Sequence, residues 1–459
     1  MKLVQRLLAH ADALRFEALP PAAVQAAVTF ITDSVAVGLA GSRHPRVAEV
    51  RAAAAGWGQG ADAQAWTDGT RWPAPTAAML NAYQLHNQEF DCVHERAVVH
   101  PMATILPALL AVAEREGAAG RTISGPQLIA AVVLAVDVAT TIGSAQAAPM
   151  RFFRPAMCGG LGASLGAAWL VGCTPAQQAD VFGIAYSQLA GTMQAHTEGS
   201  PMLALQVGLA ARAAVMALDL ARAGFAGPHD VIEGPFGYFE LFDAPLAPRR
   251  DAVEAVFAEL GRTWRITEVS HKPFPTGRAA HGALDGLATL MVGHGFGAAE
   301  VERIELAAPP LVLRLVGRPI KPDMDVNYAR LCLPYLAATM LLKGSVTLDD
   351  FTPEALRDPA RHALAPRVAW VPNAVTDPNA LAPQRLTVEL SGGVHHAIDL
   401  PAVLGHPQRP LSIAAQRAKF DACCRFAGLS AACTETLHAA CRALPQMADL
   451  REFALLIQP

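Results

Sequence analysis

The segment HNQEFDCVHERAVVHP, residues 86–101, concentrates titratable side chains in a chain otherwise rich in Ala, Leu and Val. Its sixteen positions hold three histidines, three acidic residues and a cysteine. His100 directly precedes Pro101, which fits the first turn of a helix. The positive end of such a helix disfavours the imidazolium ion, so we expect His100 to have a lowered pKa and to act as a neutral base. The side chains that could meet near one loop are Glu89, Asp91, His94 and His100.

Other interpretations of this segment must be weighed. A zinc-protease motif is excluded, because HERAVVH places its histidines six residues apart and HExxH requires four. A different metal site could be formed by His86, Asp91, His94 and His100, although we expect no metal. The segment could also be a solvated loop with incidental polar residues.

A second candidate segment is SHKPFPTGRAAHGALDG, residues 270–286. The helix predicted here would carry Arg278, His281 and Asp285 on one side, because they are spaced by three and four residues. Lys272 precedes them on an extended turn. A guanidinium and an ammonium group beside an imidazole would suit binding of a carboxylate and transfer of a proton next to it. Alternatively, His281 is a core histidine held by Asp285.

The hydrophobic pattern indicates which elements position the two segments. From residue 1 to about 265 the apolar residues recur mostly with the 3.6-residue period of helices. The stretches ITEVSHKPF, VERIELAAP and RLTVELSGGVHHAIDL then read as strands, with two helical stretches between them. We therefore predict a mainly α protein with a large all-helical domain, residues 1–267 and 402–459, and a smaller α+β domain, residues 268–401.

Composition and charge exclude several function classes. The net charge of −4 gives no attraction for nucleic acid or anionic lipid. The N-terminus lacks the apolar stretch of a signal peptide. The longest apolar runs are interrupted by charged residues such as Asp137 and Arg212, so we expect no membrane helix. The eight cysteines form no CxxC pair, which is typical of reduced thiols. We expect a cytoplasmic protein that binds neither nucleic acid nor membrane.

Together the two segments resemble those of the MmgE/PrpD family, which includes 2-methylcitrate dehydratases, cis-aconitate decarboxylases and an iminodisuccinate epimerase. NAYQLHNQEFDCVHERAVVHP is similar to the family's N-G-x-x-x-H-x-x-D-F-D-D-T-H segment that ends in His-Pro. HKPFPTGRAAHGALDG is similar to K-P-Y-P-x-x-R-x-x-H-x-x-x-D. Weaker similarities at residues 233–242, 329–335 and 405–412 extend the resemblance over nearly the whole chain. The resemblance implies a helical domain built from both chain ends, a smaller α+β lid domain and, commonly, a homodimer.

The resemblance also implies roles for individual residues. His100 matches the active-site histidine of the His-Pro pair, and Lys272 and His281 match the Lys and His of the lid motif. Asp91 matches the family's second acidic residue, and Glu89 stands where the first Asp usually stands. These five are our catalytic candidates. Our candidates for binding the substrate are Arg278, His94 and Arg154.

Three positions depart from the family pattern. Phe153 stands where the dehydratases and decarboxylases carry a catalytic His, and Arg154 is the nearest polar residue. In the family's K-x-L-H-x-G motif, this chain has Leu203 for the Lys and Gln206 for the His. A lysine that would hold a substrate carboxylate is therefore missing.

Proton removal beside a carboxylate, the step that the family shares, stays feasible with the residues that are retained. We predict a cofactor-independent lyase that acts on a small di- or tricarboxylic acid, like 2-methylcitrate dehydratase. The alternatives are an epimerase that uses Lys272 and His100 as bases on opposite faces, and a family member that binds a carboxylate without turnover. No nucleotide cofactor is expected, since GGLGASLG does not follow a strand.

Overall fold

The computed structural model describes residues 1–457, most of which lie in helices. The helices of the first half of the chain are α1 (Leu3–Ala13), α2 (Pro21–Gly41), α3 (Val47–Ala55), α4 (Ala74–His86), α5 (Pro101–Ala118), α6 (Gly125–Ser144), α7 (Arg154–Leu170), α8 (Pro175–Tyr186), α9 (Gln194–Glu198), α10 (Met202–Arg222), α11 (Tyr238–Phe242) and α12 (Arg250–Phe257). The later helices are α13 (His281–His294), α14 (Pro310–Val316), α15 (Val326–Ala329), α16 (Leu333–Lys343), α17 (Pro353–Leu356), α18 (Pro359–Leu364), α19 (Ile413–Ala427), α20 (Ala431–Ala443) and α21 (Arg451–Ala454). The prediction of a mainly α fold is confirmed.

The strands form two small ladders and one larger sheet. The two-residue strands are β1 (Ala63–Gln64), β2 (Arg71–Trp72), β3 (Val93–His94) and β4 (Val269–Ser270), which pair as β1–β2 and β3–β4. The longer strands are β5 (Val301–Ala308), β6 (Val368–Pro372), β7 (Gln384–Leu390) and β8 (Val394–Leu400). They lie in the order β6-β5-β7-β8, with β5 and β6 parallel and the other pairs antiparallel. Helices α13 and α16 pack against this sheet.

The apolar side chains form two main cores. The larger core unites α2, α4 to α8 and α10 with helices at the C-terminal end, through residues such as Phe420, Leu437 and Phe453. Both ends of the chain therefore contribute to one helical body. The second core lies between the sheet and helices α13, α14 and α16.

The β3–β4 ladder joins the two candidate segments. Val93 pairs with Ser270 and His94 pairs with Val269, in antiparallel register. The first segment runs from the end of α4 at His86 to the start of α5 at Pro101, where the pattern predicted a helix start, and the second leads into α13. Distant parts of the sequence are thus fixed side by side by backbone hydrogen bonds.

The observed secondary structure differs from the prediction in three places. ITEVSHKPF contributes only β4 and a 3₁₀ turn at Arg265–Glu268. The helix predicted from residue 276 begins as α13 at His281, after a 3₁₀ turn at Arg278–Ala280. The sequence did not predict strand β6, because its residues VAWVP do not alternate between apolar and polar side chains. Most of these residues are only partly buried.

Three helices, α2, α6 and α10, are long and apolar enough to cross a membrane by length and composition. Length and composition alone therefore do not exclude a membrane helix, and the expectation of none stays a prediction. Within the fold, 89% of the apolar window of α6 is buried, compared with 67% for α2 and 56% for α10. Helix α10 leaves Leu209, Met216 and Leu220 exposed.

The close approach of α6 and α7 depends on a glycine, and a substitution tests it. Gly162→Ala would drive a Cβ into the carbonyl oxygen of Ala135 and within 2.9 Å of the Cβ of Ala139. We expect the free energy of unfolding, measured by urea denaturation, to fall by about 1–3 kcal/mol. The control is Gly293→Ala in α13, whose added Cβ has no neighbour within 4 Å among residues 1–457. Gly293→Ala should raise the free energy of unfolding slightly, because alanine favours a helix more than glycine does. Equal losses of stability in the two variants would contradict the close packing of α6 against α7.

Candidate active site

A pocket between the two cores is lined by residues of both candidate segments. It encloses about 520 Å³ of atom-free space including its mouth, but the centre of a water molecule can occupy only about 50 Å³ of it. The titratable side chains in its wall include Glu89, His100 and His196. Most of the remaining wall is apolar, and it includes Val98, Met150, Phe153, Leu203, Leu315 and Leu381.

Asp91 orients two histidines with one carboxylate oxygen. Its Oδ2 lies 2.8 Å from Nδ1 of His86 and 3.1 Å from Nδ1 of His100. Asp91 is fully buried, and His100 sits at the N-cap of α5 with Pro101 in the first turn. Because Nδ1 of His100 is held by the carboxylate, its Nε2 remains for a substrate in the pocket.

Lys272 neutralises the buried acidic groups. Its ammonium donates to the side chain of Glu89 at 2.9 Å and to the backbone carbonyl of the same residue at 3.0 Å. It also lies 3.6 Å from Oδ1 of Asp91. Lys272 is completely buried, so a charge there requires such partners. Because Lys272 is held by these contacts, it is poorly placed to remove a proton from a substrate.

The backbone beside the pocket is strained at two residues. Glu89 has a φ of 50° and Val98 a φ of 52°, in the left-handed region that non-glycine residues rarely adopt. The conformation is most costly for a β-branched residue such as Val98. Strained residues of this kind cluster at functional sites, where the surrounding structure enforces them. Both residues line the pocket.

The two histidines differ in their pKa values. Burial lowers the pKa of His100, Asp91 opposes this shift without cancelling it, and Lys272 adds to it. The sequence predicted this direction, although burial is the main cause. Burial also lowers the pKa of His86, but the charge and hydrogen bond of Asp91 outweigh it, so that pKa lies above its usual value. His100 is therefore the neutral member of the pair.

The two acidic residues stay ionised. Burial raises the pKa of Glu89, but Lys272 and the two histidines outweigh it and bring the value to about 2. The same balance places the pKa of Asp91 well below its usual value. The cluster thus combines two carboxylates, an ammonium group, the neutral imidazole of His100 and the more basic imidazole of His86 in a largely buried site.

A metal site remains possible with fewer ligands than the sequence suggested. One ligand atom each from His86, Asp91 and His100 lies within 4.8 Å of the others. His94 is not part of this group, since its Nε2 lies 2.9 Å from Glu268. The Lys272 ammonium beside Asp91 opposes a cation there.

The second candidate segment carries Lys272, Arg278, His281 and Asp285. Of these four residues, only Lys272 contacts the cluster around Asp91. His281 is buried and its Nε2 donates to the carbonyl of Thr276 at 3.2 Å, while its Nδ1 has no partner in the described part of the chain. It is not among the residues that line the pocket. Asp285 does not hold His281, because it forms an ion pair with Arg409. His281 is therefore placed to support the wall and does not reach the pocket that a substrate would occupy.

The three residues predicted to bind substrate are engaged elsewhere. Arg278 directs its guanidinium to Glu95 and to the carbonyls of residues 271, 403 and 404, so it fixes the chain although its residue borders the pocket. His94 contacts Glu268 and accepts from the backbone of Ala97. These side chains therefore have intrachain partners, and their role in binding a substrate stays a prediction.

Arg154 is buried under the wall of the pocket. Its guanidinium donates to Asn379 at 2.9 Å and to the carbonyl of Ala148 at 3.0 Å. It therefore ties the start of α7 to the sheet-containing part. Its neighbour Phe153 occupies the wall itself and contacts the ring of His86 at 5.7 Å between centroids.

Two residues near the reacting centre were missed from the sequence. His86 was considered only as a metal ligand, although its position five residues before Asp91 lets both side chains meet as α4 ends. His196 lies on the short helix α9, far from both motifs, and no spacing signal in the sequence connects it with them. Only the tertiary fold brings it to the pocket.

Replacing the carboxylate that organises the site tests its electrostatics. In Asp91→Asn we expect the pKa of His86 to fall below that of the unchanged protein, because the negative charge that raises it is gone. Histidine proton signals titrated by NMR would measure the shift. Asp285→Asn is the control, since it removes a buried carboxylate paired with Arg409 and should leave His86 unchanged. An unaltered His86 pKa in Asp91→Asn would show that another group sets it.

Comparisons with known proteins identify the family. A family model described as the MmgE/PrpD N-terminal domain matches residues 5–249, and one described as the MmgE/PrpD C-terminal domain matches residues 274–441. The cis-aconitate decarboxylase-like protein oryM of Aspergillus oryzae is 26% identical over 390 residues, covering 82% of this chain and 81% of the relative. Cis-aconitate decarboxylase of Mus musculus is 26% identical over 400 residues, covering 84% and 78%, and that of Homo sapiens is 27% identical over 364 residues, covering 77% and 73%. The chain belongs to the MmgE/PrpD family.

Proposed function

We propose that this protein is a carboxylic-acid lyase that needs no nucleotide cofactor and uses His100 as its acid–base group. The observation that carries the proposal is the neutral His100, which is held by ionised Asp91 and lines a small, mostly apolar pocket. The names of the relatives, which include cis-aconitate decarboxylases, support the same reaction class.

In the proposed reaction, His100 removes a proton from the carbon next to a carboxylate. The electron pair moves into that carboxylate as an enediolate and then expels a hydroxyl group from the neighbouring carbon. The resulting imidazolium returns the proton to the departing hydroxyl, so water and an alkene are formed and His100 is regenerated. Asp91 stabilises the imidazolium while it exists.

The start of α13 would stabilise the enediolate. Residues 277–279 line the pocket directly before this 14-residue helix. The first backbone N–H groups of a helix have no intrahelical acceptor and lie at the positive end of its dipole. An anion placed at this turn is stabilised without a lysine contact.

In this reaction His100 both removes the proton and returns it to the leaving group. The site would therefore work without the second histidine that the family resemblance implied. With Phe153 in the wall, no imidazole stands there to protonate a leaving group. Decarboxylation of a tricarboxylate is less well supported, since the wall at Leu203 lacks the lysine. An epimerase that uses Lys272 as its second base is disfavoured by the contacts of its ammonium with Glu89.

Replacement of His100 tests the proposal. Proton NMR in heavy water with a panel of di- and tricarboxylic acids should show alkene signals for the unchanged protein. His100→Ala should lower kcat by roughly 10²–10⁴-fold, because it removes the general base. His94→Ala is the control from the same segment, since His94 contacts Glu268 outside the pocket. It should keep most of the activity.

Three outcomes of that experiment would contradict the proposal. Deuterium uptake without loss of water would indicate an epimerase. Thermal stabilisation by an acid without any reaction would indicate a binding protein. Near-normal turnover by a folded His100→Ala protein would show that another residue acts as the base.

The pH dependence of kcat/KM provides a separate test. The reaction should slow as the pH falls through the pKa of His100, because the protonated imidazole cannot accept a proton. Since this pKa lies below the usual 6.5, activity should persist into more acidic solution than for an ordinary histidine. In Asp91→Asn the acidic limb should move to still lower pH, because a charge that raises the pKa is lost. An acidic limb at or above 6.5 would contradict the assignment.

A further inference from the structure

We infer that Lys419 of helix α19 is a positioning residue of the candidate active site. It holds the backbone of Phe90, so that the carboxylate of the next residue, Asp91, stays within reach of both His86 and His100. Lys419 would act on the proposed reaction only through this carboxylate. Its effect on turnover therefore rests on the proposed function, whereas its effect on the geometry of the cluster does not.

Three successive backbone carbonyls beside the pocket each accept a hydrogen bond from a buried cation. The carbonyls of residues 88, 89 and 90 accept from Arg330, Lys272 and Lys419, at 2.9, 3.0 and 2.8 Å in that order. All three cations are buried, and they come from separate parts of the chain. Hydrogen bonds from charged donors are stronger than those between neutral groups. Tertiary contacts therefore fix this turn.

The turn has to be held, because its central residue is strained. Glu89 has a φ of 50°, and a non-glycine residue keeps such a conformation only where its surroundings enforce it. Asp91 follows two residues later, with its Oδ2 at 2.8 Å from His86 and 3.1 Å from His100. Relaxation of the turn would move this oxygen away from the two rings. The bond to residue 90 lies between the strained residue and the carboxylate.

Lys419 contacts Phe90 in two ways and is itself fixed by a carboxylate. Its ammonium donates to the Phe90 carbonyl and lies 4.2 Å from the centre of the Phe90 ring. It also forms an ion pair with Asp33 of α2 at 2.7 Å, and both residues are 8% exposed. A buried ammonium group needs such a partner. The Asp33–Lys419 pair thus ties the turn to two helices of the helical body.

Lys419 does not touch the space that a substrate would occupy. Within residues 1–457, it is not among those that line the pocket at His100, and it lines a different cavity together with Phe90. A group that acts only through the placement of another should affect the rate of the chemical step more than binding of the substrate. We therefore expect its loss to lower kcat and to leave KM nearly unchanged.

The test removes the ion pair as a whole. Asp33→Asn/Lys419→Met abolishes the contact with Phe90 without leaving an unpaired buried charge, so the protein should still fold. For the acid that the unchanged protein converts, we expect kcat to fall by roughly 10- to 100-fold, because a small displacement of a catalytic group costs that much. KM should stay within about threefold.

Glu116→Gln/Arg222→Met is the matched control. Glu116 is buried and pairs with Arg222, so this change also removes an ion pair between two helices of the helical body. Glu116 lies near the opposite end of α5 from His100, about 24 Å along the helix at 1.5 Å per residue. With both variants shown to be folded by urea denaturation, kcat of the control should stay within about twofold of the unchanged protein. Equal losses of kcat in the two variants would overturn the inference.

A spectroscopic measurement tests the geometry without turnover. An imidazole N–H that donates to a carboxylate gives a proton NMR signal far downfield, and burial slows its exchange with water. The signals of His86 and His100 can be assigned by their loss in Asp91→Asn. They should shift or disappear in Asp33→Asn/Lys419→Met and persist in the control. Unchanged signals in both variants would overturn the inference.

Lys419→Arg provides a second variant if the first does not fold. It keeps a cation opposite Asp33, but the planar guanidinium is wider than the ammonium group and cannot take the same place against the Phe90 carbonyl and ring. The fall in kcat with KM unchanged, and the shift of the N–H signals, should appear here as well. Normal kcat and normal signals in Lys419→Arg would overturn the inference.

The outcomes separate failure of the inference from failure of the proposed function. Absence of turnover by the unchanged protein, with N–H signals altered only in the Lys419 variants, would overturn the lyase and leave the positioning role. Alkene formation with normal kcat and normal signals in the Lys419 variants would leave a lyase and overturn the positioning role.

Discussion

The buried carboxylate of Asp91 is the constraint on which the site depends. One of its oxygens holds His86 and His100, and the other lies near Lys272. An ionised carboxylate without exposure to water is stable only because these groups surround it. The arrangement fixes the tautomer of His100 and leaves its second nitrogen for the pocket. Removal of Asp91 would disturb the geometry and the charge of the whole cluster.

This cluster requires both parts of the fold at once. Asp91 and His100 lie on the connection between α4 and α5, whereas Lys272 follows β4. The β3–β4 ladder holds these chain segments together, and both ends of the chain build the helical body that supports them. The pocket then forms where the helical core meets the core beneath the sheet. Acid–base chemistry and domain arrangement are therefore coupled.

The wall of the pocket departs from the pattern that the family resemblance implied. The resemblance that the sequence showed includes a histidine and a lysine at the positions of Phe153 and Leu203. Here these side chains are apolar and line the pocket. The His100 cluster and the apolar wall lie on different elements, so each can change without the other. That separation allows one fold to act on different acids.

The sequence by itself determined the mainly α class, the segment that becomes the acid–base cluster and the helix start at Pro101, because these depend on local periodicity and spacing. It also singled out Arg278, His94 and His281, but it could not show that Arg278 contacts Glu95, that His94 contacts Glu268 or that one ring nitrogen of His281 contacts the Thr276 carbonyl. Only the tertiary structure showed these contacts, and it also brought His196 to the pocket. The physical reason is that a side chain's availability depends on every partner within hydrogen-bond reach, and those partners come from distant parts of the chain.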